Sequence, residues 1–397
     1  MATLKITLIL LFLILWIKRK QDLGAGLLIG SFVLGILSAG FFDVLKFMFR
    51  SVYATDTIDL IVVMILIFYF IEIWSKTGGT ASLCKNLNHV IKDSPVALVI
   101  PPAIIGLIPI MGGAMVSAPL VKDSFYAKNV SPAKQTFQNF WFRHIWEYAI
   151  PTYPGVIISA GILGVSYGKV FALNFPLTIF AIIIGSIVGL TGIKYRKPDL
   201  LNNDTSGIKG LLVAFLPLFV ILVPALVFKV PLFLSLAISI ILMALVNKIS
   251  IPRLNGLFIK SFNFNIISVV VGIMAFKYVM EDTGVIVQMS REFISWKIPV
   301  LLLLFLLPFI TGFITGITQA FVAISFPLLI NYLSADNNLL TWAYVSGYMG
   351  VLLSPVHVCL VLTKEYFGAS WKDVYKILII PCLFMLAAAF FIIKIRG

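Results

Sequence analysis

Charged residues are scarce in this chain. Asp, Glu, Lys and Arg make up 12% of its 397 residues, against about 25% in an average soluble domain. Hydrophobic residues account for 60%, and the mean hydropathy is +1.07. This composition excludes a soluble globular protein, and no stretch is long enough for a separate soluble domain.

Cysteine is also rare. Cys84, Cys359 and Cys382 lie in or beside apolar runs, without a CxxC or a His-paired metal spacing. We expect them to behave as small apolar side chains. The sequence therefore predicts no metal site, and no motif in it indicates any other cofactor.

A nucleotide-binding loop and a zinc-protease motif are missing: the sequence contains no GxxxxGK[ST] and no HExxH. GxSxG occurs once, at 164–168, but it lies where two predicted membrane spans meet and not after a predicted strand, which is the context of a hydrolase nucleophile. We therefore expect neither ATP hydrolysis nor another enzymatic activity, although a partner ATPase is left open. A lipid-active membrane enzyme using His144, Glu147 and His357 is the weakest alternative.

Basic residues outnumber acidic ones by 30 to 16, which gives a net charge of +14. They are scattered between apolar runs and do not cluster with aromatic residues, so we expect no nucleic-acid partner. Their placement is typical of membrane topology and of contact with the lipid bilayer.

Apolar runs of about 17 to 25 residues recur along the chain, each long enough to cross a hydrocarbon core of ~30 Å as a helix. Positive charge follows the first run, whereas a signal peptide carries it before the apolar core, so we expect a retained helix. The predicted fold class is an all-α integral membrane protein with about ten transmembrane helices. Their expected bounds are 3–17, 22–41, 58–75, 139–166, 170–193, 209–229, 231–247, 262–281, 340–366 and 374–394.

Two further charge-free runs, 95–121 and 298–335, are too long for a simple crossing. As single helices they would reach ~40 Å and ~57 Å. Small or polar residues interrupt their centres, at 108–114 and 315–320. We predict two re-entrant helical hairpins whose tips lie inside the membrane, with one long kinked span each as the alternative.

The distribution of positive charge favours hairpins. With them, 19 of the 30 Lys and Arg fall on one side of the membrane. With single spans, segments carrying ten of those 19 change sides, and the bias largely disappears. The same count predicts both termini outside a prokaryotic inner membrane, but it does not separate a hairpin from two full crossings at 298–335.

The two halves of the chain, 1–197 and 205–397, share residues at nearly constant offsets. Each half has five predicted spans and one hairpin, and the charge count gives them opposite orientations. We therefore predict two inverted repeats, whose halves can exchange conformations so that one site faces either side. Recurring at an offset of 206 are Thr77-Gly78 as Thr283-Gly284, Pro102 as Pro308, Gly106 as Gly312 and Ala114 as Ala320; at 201, Trp141 as Trp342 and Pro154 as Pro355.

Three stretches resemble an uncharacterised ten-helix membrane family, domain of unknown function 401: PPAIIGLIPIMGGAMVSAPLV (101–121), NFWFRHIWEYAIPTYPGVI (139–157) and SPVHVCLVLTKEYFGAS (354–370). That family is grouped with the ion-transporter superfamily of gluconate, citrate, dicarboxylate and arsenite carriers. The resemblance implies a paired-hairpin transport domain moving against a dimeric scaffold, and hence a homodimer. The Ser-Asn-Thr sodium and carboxylate signatures of the dicarboxylate carriers are absent from both tips, which puts sodium coupling and a dicarboxylate substrate in doubt.

In the superfamily pattern each hairpin tip meets a broken helix. The resemblance implies breaks at 151–155 and 354–357, where unwound backbone would present polar groups to a ligand. Close helix packing is the competing role of the small residues there. The expected substrate-binding residues are Gly112, Gly113, Ser117, Thr152, Tyr153, Thr315, Thr318, Gln319, Ser354 and His357.

Arg143, His144 and Glu147 are ionisable residues inside a predicted span. Arg143 and Glu147 stand four residues apart, so we expect an intrahelical ion pair. Alternatively Arg143 attracts an anionic substrate and Glu147, with His144 beside it, takes a proton. His357 would also suit proton coupling, with a neutral hydrogen-bonded role as the alternative.

The favoured function is secondary active transport of a small, organic anion, driven by a proton or sodium gradient through an elevator-like alternating-access mechanism. A cation/proton antiporter and an ion channel are the alternatives. A channel would more naturally show a symmetric pore than two duplicated broken elements.

Overall fold

The computed structural model describes residues 1–19, 21–91, 95–110, 113–193 and 206–396. All regular secondary structure in these ranges is helical, as predicted, with two short 3₁₀ segments at 95–98 and 125–129. In chain order, α1 to α20 are Ala2–Lys18, Leu23–Ala39, Phe41–Tyr53, Thr55–Lys76, Gly79–Ile91, Ile100–Ile105, Gly113–Lys122, Pro132–Arg143, Pro154–Leu163, Tyr167–Leu190, Ser206–Leu226, Leu232–Val246, Ile251–Ser261, Phe264–Asp282, Val285–Ser295, Val300–Thr315, Thr318–Ala335, Leu339–Leu353, Val358–Phe367 and Trp371–Arg396.

Long apolar helices dominate the fold. Seven helical segments among the described residues are long and apolar enough to cross a membrane, and four shorter apolar helices accompany them. Each predicted span coincides with one helix or with two consecutive helices. By helix length and composition, the chain is a multi-pass membrane protein.

Two predicted spans are each divided into two helices. The span 139–166 is replaced by α8 and α9, with an irregular segment at 144–153, and the span 340–366 by α18 and α19, with a break at 354–357. The second break lies where it was predicted, whereas the first begins well before the predicted 151–155. Both breaks contain proline, which has no amide hydrogen to donate to the preceding turn.

Four short helices, α3, α5, α13 and α15, were not predicted. They have 11 to 13 residues and separate polar from apolar side chains around the helix. Helices of this kind lie along a membrane interface instead of crossing it. A search for long apolar runs misses them because their polar face lowers the mean hydropathy.

Each of the two long apolar runs folds into two helices that pack against each other. α6 and α7 form the first pair, and α16 and α17 form the second. The interruptions lie between Ile105 and Gly113 and at 316–317, in or overlapping the predicted centres. Both packed pairs fit a re-entrant hairpin, and α16 and α17, with 16 and 18 residues, also fit two crossings.

The order of helices repeats between the halves. α11 to α20 follow the order of α1 to α10, although α6 and α7 are shorter than α16 and α17. The hydroxyls of Thr77 and Thr283 each donate to the carbonyl four residues earlier, at the ends of α4 and α14. The next residues, Gly78 and Gly284, both have a positive φ, which glycine adopts without strain. The match at an offset of 206 is therefore also structural at this point.

The match of the two prolines at an offset of 201 does not correspond to equivalent positions in the structure. Pro154 is the first residue of α9, whereas Pro355 lies inside the second break, before α19. The structurally equivalent residues here are Gly164 and Gly368, which are 204 residues apart. Both have left-handed backbone conformations, and they end α9 and α19.

Helices of the two halves pack on each other in exchanged pairs, so that a contact and its counterpart both occur. α2 packs on α14, and its counterpart α12 packs on α4. In the same way α1 packs on α15 and α11 on α5, while α17 packs on α9 and α7 on α19. The apolar helices of one half therefore complete their burial against the other half.

Two apolar clusters form the core. The smaller lies on α4, α11, α12 and α14, and the larger surrounds α8, α9, α17 and α18. α16 and α18 cross closely at Gly312 and Gly350, where an added Cβ would overlap a backbone carbonyl of the facing helix. Small residues at such crossings let membrane helices approach each other.

Replacing Gly350 by Ala is expected to destabilise the fold. The added Cβ would overlap the Phe309 carbonyl, and overpacking of this kind costs about 1–3 kcal/mol. Gly256→Ala is the matched control, because Gly256 in α13 has open space at its Cβ position; it should be neutral or stabilise by up to ~1 kcal/mol. Thermal unfolding in detergent measures both. Equal melting temperatures for the two variants would contradict this close crossing.

Candidate functional site

The two breaks lie against each other within the larger apolar cluster. The first comes from one half of the chain and the second from the other. His144 and His357 join them, with 3.2 Å between their Nε2 atoms. The arrangement brings polar groups from both halves to one buried place.

Two tyrosine hydroxyls satisfy the backbone of the first break. Tyr344 donates to the carbonyl of Glu147 at 2.8 Å, and Tyr348 donates to that of His144 at 2.9 Å. Both tyrosines are completely buried. An unpaired carbonyl in hydrocarbon is costly, so these bonds allow the helix to be interrupted here. Neither tyrosine was predicted as part of the site, although their spacing of four on α18 points to one shared face.

Backbone carbonyls orient both imidazole rings. Nδ1 of His144 lies 2.6 Å from the carbonyl oxygen of Phe140, and Nδ1 of His357 lies 2.7 Å from that of Gly316. At the end of α8 the His144 amide donates to the Trp141 carbonyl, which leaves the Phe140 carbonyl to the ring. The two histidines are only 2% and 8% exposed. Their Nε2 atoms consequently face each other.

Cys359 and Glu147 stand beside the histidine pair. One ring nitrogen from each of His144 and His357 and the Sγ of Cys359 all lie within 4.8 Å of one another. Oε1 of Glu147 is 3.9 Å from Nε2 of His144, and its Oε2 accepts a hydrogen bond from Thr318 at 3.2 Å. From its sequence context Cys359 was expected to be a small apolar side chain, because His144 is remote in the chain and His357 alone, two residues before the cysteine, indicates no metal site.

Arg143 binds the first tip, the segment that follows α6, and does not form the expected ion pair with Glu147. α8 ends at Arg143, so the two residues do not share a helical face. Its Nη1 donates to the Tyr153 hydroxyl at 2.7 Å, and its Nη2 donates to the carbonyls of Ile108 and Ile110 at 3.3 and 3.2 Å. Its Nε has no hydrogen-bond partner among the residues that the structure describes.

The first tip lies directly on this guanidinium. The Tyr153 hydroxyl donates to the carbonyl of Gly106, so it connects the tip to Arg143. A Cβ on Gly113 would lie 2.7 Å from Nε of Arg143, which leaves room only for glycine. Gly113 and Tyr153 thus meet the charged side chain, while Gly112 lies outside the described residues.

The second tip, at 316–317 between α16 and α17, contacts both breaks. Gly316 has a φ of +64°, and a Cβ there would lie 2.9 Å from the amide nitrogen of His357. Thr318, the first residue of α17, packs on Gly155 in the first turn of α9. The Thr315 hydroxyl donates within its own helix and is buried. The second tip therefore connects the two halves of the site.

The remaining predicted ligands are spread around this cluster. The hydroxyl of Ser117 donates to Oδ1 of Asn139 at 2.6 Å, a buried contact that sequence analysis did not anticipate. The Thr152 hydroxyl is buried without a hydrogen-bond partner in the described part of the chain. Ser354 is buried and accepts a hydrogen bond from the amide two residues on. Gln319 is half-buried in the first turn of α17.

Four helices begin around the cluster: α7, α9, α17 and α19. Gly155 at the start of α9 packs on Thr318 at the start of α17, the N-cap of α19 packs on the second tip, and α7 begins on Arg143. Helix N-termini carry partial positive charge, which adds to that of the guanidinium. Such a region attracts anions, while the histidines, the thiol and Glu147 offer ligands to a cation.

Over residues 3–395 the chain matches the model of a protein family described as "Protein of unknown function (DUF401)". No curated protein matches the chain.

Removing either hydroxyl, in Tyr344→Phe or Tyr348→Phe, is expected to lower stability. Tyr344→Phe leaves the buried carbonyl of Glu147 unpaired, which costs about 1–3 kcal/mol. Tyr348→Phe leaves the His144 carbonyl with a single long bond from the Glu147 amide at 3.3 Å, so its loss should be smaller. Tyr53→Phe is the control, because Tyr53 is 75% exposed. Thermal unfolding in detergent compares the three variants. A loss no larger than that of the control would show that the tyrosines do not support the break.

Proposed function

This chain belongs to the DUF401 family, and on that premise we propose that it is a secondary active transporter of a small anion. The observation that carries the proposal is the meeting of two broken helices with the tips of two packed helical pairs. In secondary carriers, broken helices near the bilayer midplane hold the substrate and the driving ions. Irregular backbone is tolerated at that depth where protein covers it or a water-filled cavity adjoins it.

The exchanged packing supports inverted repeats. If a two-fold axis relates the halves, every contact between them occurs twice with the partners exchanged, as for α2 on α14 and α12 on α4. Two halves of this kind can interchange their conformations. A site between them would then open to either side of the membrane in turn, which is alternating access.

Electrostatics favours an anionic substrate. Four helix N-termini and the guanidinium of Arg143 surround the site, and Glu147 is the acidic side chain beside the histidines. Polar groups preorganised in a low-dielectric region bind opposite charge more strongly than they would in water. Backbone amides at the tips and the Nε of Arg143 supply donors for an anion.

We assign moving and fixed parts from the packing. α1 to α4 and α11 to α14 pack on one another across the halves and would form the scaffold through which two copies dimerise. The two hairpins and the broken helices would form the transport domain that moves in an elevator-like way. A proton or sodium gradient is the proposed driving force, because the sequence has no nucleotide-binding loop.

The re-entrant arrangement of the first hairpin predicts a labelling pattern in a prokaryotic inner membrane. In a background without the native cysteines, Lys85→Cys and Lys128→Cys should react with an impermeant maleimide from the same side. Lys297→Cys should react from the opposite side. All three lysines are exposed. Opposite labelling of positions 85 and 128 would show instead that the run 95–121 crosses once.

Anion binding is expected to depend on Arg143. Purified protein is screened by thermal unfolding against small organic and inorganic anions, with and without Na⁺ and at two pH values. An anion that stabilises the wild type should bind Arg143→Gln about 10- to 150-fold more weakly, because a hydrogen bond to a charged group contributes roughly 1.5–3 kcal/mol.

The matched control is Arg50→Gln, because Arg50 lies in an exposed ion pair with Asp282. It should bind the anion as the wild type does. Unchanged affinity in Arg143→Gln would remove Arg143 from the substrate site. No stabilisation by any anion, in well-folded protein under all conditions, would contradict anion transport.

A further inference from the structure

The contact between the two histidines is incomplete when both rings are neutral. A carbonyl oxygen only accepts hydrogen bonds, so each Nδ1 that faces a carbonyl carries the ring hydrogen. Each Nε2 then has a lone pair and no hydrogen. Two lone pairs 3.2 Å apart repel, since neither nitrogen can donate to the other. A cation between them would turn the contact into an attraction.

We propose that His144, His357 and Cys359 bind a zinc-class transition-metal ion between the two breaks, with Glu147 as the fourth ligand. The two Nε2 atoms and the Sγ would be three ligands, and Oε1 would complete a tetrahedral set. Imidazole and thiolate ligands suit Zn²⁺, whereas Mg²⁺ and Ca²⁺ prefer oxygen ligands. The sequence predicted no metal site because its ligands come from segments more than 200 residues apart.

The separation of the histidines fits zinc closely. Tetrahedral Zn²⁺ with bonds of about 2.0–2.1 Å to nitrogen holds two ring nitrogens roughly 3.3 Å apart. The observed separation is 3.2 Å. A thiolate at about 2.3 Å from the metal would lie roughly 3.6 Å from each nitrogen. Sγ of Cys359 is within 4.8 Å, so a shift of up to about 1.2 Å brings the thiolate to this distance. Glu147, whose Oε1 is 3.9 Å from Nε2 of His144, would have to turn toward the ion to become the fourth ligand.

The surroundings of both rings are those of metal ligands. A metal-binding histidine almost always donates its other N–H to a carbonyl, a carboxylate or water, which fixes the ring and makes Nε2 more basic. Here the acceptors are the carbonyls of Phe140, at the end of α8, and Gly316, at the second tip. Each partner is backbone in a position set by the fold.

Charge balance is also met within the cluster. A thiolate from Cys359 and the carboxylate of Glu147 offset the two positive charges of the ion. Cys359 lies in the first turn of α19, and a bound metal ion deprotonates the thiol that coordinates it. The ion would connect α8 to α19, and thus one half of the chain to the other.

The test uses protein purified through a tag without histidine, stripped with chelator and then titrated with Zn²⁺ or Co²⁺ in the absence of any anion. We expect one tightly held metal ion per chain after gel filtration. The Co²⁺ form should show the intense visible bands of a tetrahedral site and a near-ultraviolet thiolate-to-cobalt charge-transfer band. Both measurements on the wild type decide the matter even if a variant fails to fold.

Variants identify the ligands. His144→Gln, His357→Gln and Cys359→Ser should each weaken Zn²⁺ binding by more than about 100-fold, since even outer-shell partners are worth 10- to 100-fold. Cys359→Ser should in addition remove the charge-transfer band. The matched controls are His89→Gln and Cys84→Ser, which change the third histidine and another cysteine and should bind as the wild type does.

Two outcomes would overturn the proposal. One is folded wild-type protein that retains no Zn²⁺ and shows no tetrahedral Co²⁺ spectrum, in which case a shared proton occupies the histidine pair. The other is metal binding that survives in His144→Gln and His357→Gln. The metal site does not depend on the transport proposal, because binding is measured without substrate or membrane.

Discussion

The pairing of backbone groups inside the apolar core is the constraint on which the structure depends. Two helices are interrupted inside this core, where the freed amides and carbonyls must find partners within the protein or in bound water. The hydroxyls of Tyr344 and Tyr348 pair carbonyls of the first break, while the imidazole of His357 and the guanidinium of Arg143 pair carbonyls of the two tips. Without these partners the irregular segments would have to close into helices or admit water.

The same side chains explain why each break needs a hairpin tip. The guanidinium fixes the first tip through carbonyls on 108 and 110, and the ring of His357 fixes the second through the carbonyl of Gly316. Glycines at the contacts let the backbones approach, since any side chain at position 113 or 316 would collide with the facing residue. The site is thus assembled from irregular segments that stabilise one another.

Much of this fold follows from the sequence. Apolar runs gave the helices of the predicted spans, and the second break coincided with Pro355 as expected. The first break began earlier than its prolines indicate, because hydroxyls from α18, distant in sequence, satisfy its carbonyls. The amphipathic helices α3, α5, α13 and α15 were not predicted, because their polar faces lower the mean hydropathy below that of a membrane span.

The side-chain cluster was less predictable than the helices. Arg143 and Glu147 have the spacing of an ion pair, but the helix ends between them, and local spacing does not reveal where a helix stops. Cys359 gained its neighbours only through the approach of the other half. Contacts between remote segments carry no periodic signal in a single sequence, whereas the residues of the tips, Gly113 and Thr318, do lie at interruptions visible in it.

Exchanged packing also constrains synthesis of the chain. α4 leaves the ribosome long before α12 and α13, which cover it in the finished protein. At about 5 to 20 residues per second this interval lasts roughly 10 to 30 s. During that time lipid or the insertion machinery must shield a face that is shaped for another helix. The first half must therefore be stabilised by the membrane before the second half has been synthesised.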